Sequence, residues 1–79
     1  MARVLLFGRL SDVAGWRDRQ IDSPFLSALR SRLAAEDEAL GEALGGKGVQ
    51  VAIDQVIVRG DTALNGSTEV AFLPPMSGG

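Results

Sequence analysis

Hydrophobic and polar residues alternate from Arg3 to Leu10, which predicts a strand with two unlike faces. Val4, Leu6, Gly8 and Leu10 make one face wholly apolar or small, and that face belongs to a core. Arg3, Leu5, Phe7 and Arg9 make the other, with two large apolar groups bracketed by arginines. Ser11 to Trp16 reads as a loop turning at Gly15, and Arg17 to Ile21 as a short returning strand. Ser23-Pro24 has the residue types of a helix start. Leu26, Leu29 and Leu33, with Ala28 on a flank, then give an amphipathic helical stripe. Ala34 to Leu44 continues as a shorter helical piece with Leu40 and Leu44 four apart, and Gly45-Gly46 is expected to supply the left-handed positions of its stop.

The second half of the chain is strand-like. Val49, Val51 and Ile53 alternate inward, Asp54-Gln55 turns, and Val56-Ile57-Val58 returns with Ile57 on the face opposite its neighbours. Asn65-Gly66 marks a further turn. Glu69 to Leu73 closes the domain, Val70 and Phe72 sharing one face and Ala71 and Leu73 the other. The order β-β-α-(α)-β-β-β carries a single main helix, which has one sheet to cover. The first hairpin and the last strand therefore share that sheet, as in the α+β, β-grasp arrangement of ubiquitin-like domains, with a mixed sheet packed on one face. Residues 1–73 form this domain, and residues 74–79 an extended, flexible tail.

Strand parity puts Leu5, Phe7, Ile57 and Leu73 on the face opposite the helix. So many large apolar groups on a solvent face of so small a domain point to a binding surface. The competing expectation is that the Gly60–Thr68 loop, or Trp16, folds over them. Trp16 itself is expected to cover the edge of its own core.

Composition narrows the chemistry. The chain has 79 residues, a net charge of −2, and neither cysteine nor histidine. This excludes a disulfide framework and thiolate metal sites, and makes zinc binding improbable. The eight Lys and Arg are scattered, which argues against nucleic acid as a partner. No membrane-span or signal pattern is visible, so a cytoplasmic location is expected. Glu36-Asp37-Glu38 reads as a solvated face or helix start. Arg59-Gly60-Asp61 has the look of an adhesion tripeptide but reads as a polar turn.

The segment Pro74-Pro75-Met76-Ser77-Gly78-Gly79 follows directly on the closing strand. The prolines end ladder pairing, and the remaining residues are slim enough to thread a narrow channel, reaching up to roughly 20 Å if stretched. With so few reactive side chains, the α-carboxylate of Gly79 is the natural reacting group.

Val4-Leu5-Leu6-Phe7, Ala28-Leu29-Arg30 and above all Glu69-Val70-Ala71-Phe72-Leu73-Pro74-Pro75-Met76-Ser77-Gly78-Gly79 resemble the small subunits of molybdopterin synthases, ubiquitin-like sulfur carriers of molybdenum cofactor biosynthesis. The resemblance runs from the first strand to the last residue. It implies that Gly79, with the slim Gly78 beside it, is adenylated by an activating enzyme related to the ubiquitin E1 enzymes and converted to a thiocarboxylate. It also implies that Phe7, Ile57 and Leu73, with Leu5 and the tail residues Pro74, Pro75, Met76 and Ser77, meet the large catalytic subunit, usually in a heterotetramer. A sulfurtransferase would supply the sulfur. The chain itself would bind no cofactor, ATP being used by the activating enzyme, and would act as the non-catalytic donor subunit of a two-subunit sulfurtransferase. Related carriers serve thiamine, tRNA thiolation or amino acid synthesis, and protein modifiers and plain interaction modules share the fold, so these alternatives stay open. The segment from Ala35 to Gly48 has no role assigned beyond connecting helix to sheet.

Overall fold

A computed structural model of the chain describes residues 1–75. Its elements run β1 (Ala2–Leu6), α1 (Arg9–Ala14), β2 (Asp18–Ile21), α2 (Leu26–Glu36), α3 (Glu38–Leu44), β3 (Gln50–Ile53), β4 (Val56–Val58) and β5 (Glu69–Leu73). The five strands form one sheet in the order β2-β1-β5-β3-β4. β1 and β5 are parallel, with Val4 beside Val70 and Leu6 beside Phe72; the other pairs are antiparallel. This is the mixed β-grasp sheet expected from the element order. Among the described residues no helix is long and apolar enough to cross a membrane.

One sheet face and the helices make the core. Val4, Leu6, Ile21, Val51, Val70 and Phe72 from the strands meet Leu26, Leu29 and Leu33 of α2, Leu40 and Leu44 of α3, and Leu10 of α1. Burying this apolar area is the main stabilising term of so small a domain. At the edge, Trp16 packs against the same cluster, with the Arg19 guanidinium 4.8 Å from its ring centre, a cation–π geometry.

Several local expectations are corrected. The first strand stops at Leu6 rather than Leu10, because Gly8 (φ 56°, ψ −132°) breaks the extended path and a helix begins at Arg9. Leu10, Val13 and Ala14 then reach the core at helical spacing, in a segment whose alternation and turn residues had read as strand and loop. Gly15 does close the segment, its N–H donating to the Ser11 carbonyl. The main helix starts at Leu26 rather than at Ser23-Pro24. The Ser23 hydroxyl donates to the Phe25 carbonyl, so it caps no amide. That cap comes from Asp61, which accepts from the Ser27 N–H at 2.8 Å and from its hydroxyl at 2.7 Å. Ala28 faces solvent instead of flanking the core. α2 extends through Glu36, and the second helix begins only at Glu38, where the Asp37 side chain accepts from the Leu40 N–H. The acidic run is thus a helix start. Gly45 ends α3 at φ −85°, not in the left-handed region; that conformation falls on Gly48, at φ 86°.

The Asp54-Gln55 turn appears as read. Both residues adopt positive φ, 48° and 71°, matching the twist of a two-residue hairpin. The Asp54 carboxylate then accepts from the Glu69 N–H at 2.9 Å, tying the hairpin to the start of β5.

Candidate functional site

The pairing register lays a continuous row across the sheet on the side away from the helices. Leu5 stands beside Ala71, Ala71 beside Ala52 and Ala52 beside Ile57. One step along, Leu73 pairs with Gln50, and Phe7 is held at the end of β5 by its N–H donating to the Phe72 carbonyl at 3.2 Å. Phe7 and Ile57 are each 44% exposed, and Leu5 and Leu73 half-buried. Between them lie Ala52 and Ala71, buried although they face away from the helices. Two small residues flanked by large ones make a shallow apolar dish, the shape a partner's side chain can enter.

Neither expected cover lies on this dish. The Gly60–Thr68 loop is tied to the start of α2: the Leu26 N–H donates to the Thr62 carbonyl and the Leu64 N–H to the Pro24 carbonyl, and Leu64 packs on the core cluster. Trp16 stacks with Arg19. Arg19 sits opposite Val4 and pairs with Glu36 of α2, which fixes both on the helix side. Among the described residues, the dish is open.

Its rim is charged and internally paired. Arg3 Nη2 lies 2.7 Å from Asp18 Oδ2, and Asp18 stands beside Leu5 in the register. The guanidinium's hydrogen bond holds the Asp18 carboxyl below its usual range, and the same bond raises Arg3. Arg9, read as the second arginine of this face, instead belongs to α1. There, with Lys47, Leu10, Val13 and Ala43, it lines a groove of about 780 Å³ beside Pro74 and Pro75.

The tail leaves the domain at the dish's edge. Pro74 is half-buried and Pro75 exposed. Phe7 and Leu73 stand at this end of the open face, Leu5 and Ile57 at the two sides of the row that crosses it, and the prolines line the groove beside α1 and α3. Met76, Ser77, Gly78 and Gly79 lie outside the described residues. Ala52 was missed as part of the surface, although the alternation that places Val51 and Ile53 inward puts it outward. Among the described residues no three acidic side chains converge as a metal-ligand set.

A β-grasp sheet with one covered face, one open apolar dish and a central strand running into a diproline defines a ubiquitin-like domain. Two solved structures share this fold: small archaeal modifier protein 1 from Haloferax volcanii, with a TM-score of 0.82 and 24% identity over 99% of this chain and 98% of that one, and its counterpart from Methanosarcina acetivorans, with a TM-score of 0.86 and 23% identity over 99% and 95%. The chain belongs to the ThiS family, which it matches over residues 4–79. It is 33% identical to the molybdopterin synthase sulfur carrier subunit of Escherichia coli and 31% identical to that of Haemophilus influenzae, in each case over 100% of both chains.

Proposed function

We propose that this chain is the sulfur carrier of a molybdopterin synthase, with Gly79 bearing the sulfur. The observation that carries the reading is the full-length similarity to two such subunits, with no part of either chain left uncovered. The open dish supports it, because a carrier must dock on its partner while keeping its tail free to enter that partner's site. A free α-carboxylate is ionised at neutral pH and is a poor electrophile. In the activating enzyme the Gly79 carboxylate attacks the α-phosphate of ATP and expels pyrophosphate. The terminal sulfur of a sulfurtransferase persulfide then attacks the acyl carbon and expels AMP. A thiol reductant cleaves the sulfur–sulfur bond of the resulting acyl disulfide, leaving a thiocarboxylate and a disulfide. In the large subunit this sulfur attacks a carbon of the pterin precursor, whose carbon–oxygen bond breaks with loss of the oxygen substituent, and water cleaves the acyl–sulfur bond to return the carboxylate. Two such transfers build the dithiolene, with Leu5, Phe7, Ile57 and Leu73 gripping the large subunit and residues 76–78 threading its channel.

Intact-mass measurement of protein isolated from cells tests the chemistry. The expected species is heavier by the exchange of one oxygen for sulfur, and it disappears when one residue is added after Gly79 while partner binding persists. Full sulfur transfer by the extended chain would exclude the terminus. Finding the chain only in higher-mass conjugates, with no thiocarboxylate, would replace the carrier by a protein modifier.

A further inference from the structure

The two prolines that open the tail are each seated on a glycine with positive φ. Pro74 lies over Gly8 (φ 56°), where a β-carbon would stand 3.1 Å from Pro74 Cγ. Pro75 lies over Gly48 (φ 86°), where a β-carbon would stand 2.8 Å from Pro75 Cβ. These glycines flank β5 from its two neighbours. Gly8 follows β1, whose next residue back, Phe7, is hydrogen-bonded to Phe72. Gly48 precedes β3, whose Gln50 is paired with Leu73. The ladder on both sides of β5 gives way, at the same level, to a proline ring resting on bare backbone.

We propose that Gly8 and Gly48 form a clamp that fixes the direction in which the tail leaves the domain, and that they act as positioning residues for the sulfur carried at Gly79. Proline cannot donate to a ladder and its φ is set near −65°, so hydrogen bonding cannot steer the chain past Leu73. Contact with the two glycines does so instead. At Gly48 the separation is shorter than nonbonded carbons tolerate, and the opposing atom is a rigid ring carbon. A methyl group there must push Pro75 away or shift the segment before β3. Either movement changes the direction in which the chain leaves Pro75, and a misplacement of about 1 Å at a reacting group can cost about a hundredfold in rate. The dish is made by other residues, so docking and aiming are separable properties of one domain.

The inference rests on the carrier reading, and its test separates the two. Gly48→Ala is compared with D-alanine in place of Gly48, introduced by chemical synthesis. Both add one methyl group, but the D-residue is at ease at positive φ and points its methyl away from Pro75. Single-turnover sulfur transfer from thiocarboxylated protein to the pterin precursor, with the large subunit saturating, should fall by about a hundredfold for Gly48→Ala and stay near wild type for the D-residue, with affinity for the large subunit unchanged in both. Wild-type transfer by Gly48→Ala, or equal loss with the D-residue, would overturn the clamp. Should the unmodified protein transfer no sulfur, the carrier reading fails and the clamp is decided by NMR alone. A nuclear Overhauser contact between the Gly48 Hα protons and Pro75 Hβ, lost in Gly48→Ala and kept with the D-residue, supports it; absence of that contact in the unmodified protein overturns it.

Discussion

Phe7→Ala isolates the contribution of the open face to docking. The Phe7 residue is 44% exposed in the free domain, so about 90 Å² of a roughly 200 Å² side chain stands available for a partner to cover. At about 25 cal/mol per Å² this amounts to about 2 kcal/mol, or roughly 30-fold in dissociation constant. The entropic cost of association is shared by variant and wild type and cancels in the difference. The Phe7 N–H bond to Phe72 is a main-chain contact and survives the substitution. The roughly 110 Å² of side chain already covered within the domain is lost too, so unfolding free energy should fall by up to about 3 kcal/mol, and binding is compared at a temperature where each variant is folded. The assay is calorimetric titration of the purified large subunit with wild type, Phe7→Ala and Val56→Ala. Val56 is the internal control: it is more exposed, at 65%, but is paired with the core-packed Ile53 and so stands on the helix side of the sheet. Val56→Ala should bind like wild type. Equal weakening by the two variants, or none by Phe7→Ala, would refute the argument that this face docks.

Two further outcomes concern stability. Gly41→Ala should destabilise the domain by about 1–3 kcal/mol in denaturant titrations, despite the gain of about 1 kcal/mol in helix propensity, because the new β-carbon would lie 2.6 Å from Ala34 Cβ where α3 crosses α2. Thermal stability should hold from pH 8 to about pH 5 and decline below about pH 4, the ordinary carboxylate range. Asp18 is held below that range by its hydrogen bond from Arg3, Glu36 by those from Arg19 and then Arg32, and Asp61 by those from the Ser27 hydroxyl and amide. Lowered carboxylates stabilise the fold when ionised, and that stabilisation is lost as pH falls through their folded values. With no histidine in the chain, a step near pH 6.5 in a melting series would contradict this account.

The architecture was legible in the sequence wherever burial followed a simple period. The stripe Leu26, Leu29, Leu33 and the alternations around Val4, Val51 and Phe72 carry the core, and the same parity exposes Phe7 and Ile57. What escaped is set by contacts remote in sequence. The cap of α2 comes from Asp61, 34 residues beyond Ser27, so the strong local pattern Ser23-Pro24 misplaced the helix start. α1 escaped because six residues around Ser11 and Asp12 give little periodicity, and only packing beside α3 shows that Leu10 and Val13 face inward. The clamp glycines cannot be distinguished from other turn glycines by type; they are defined by the prolines that arrive beside them.

The position of β5 has a consequence for how the domain comes into being. β1–β2 and β3–β4 are antiparallel hairpins, each closed by sequence-local pairing, and neither is hydrogen-bonded to the other except through β5. The last strand of the fold is thus its keystone, joining Arg3 to Glu69 across almost the whole domain. Long-range parallel closure of this kind forms late and slowly. A chain broken short of Glu69 would be left with two hairpins that share no sheet, so only a domain that has gained its final strand holds a tail in place for a partner to receive.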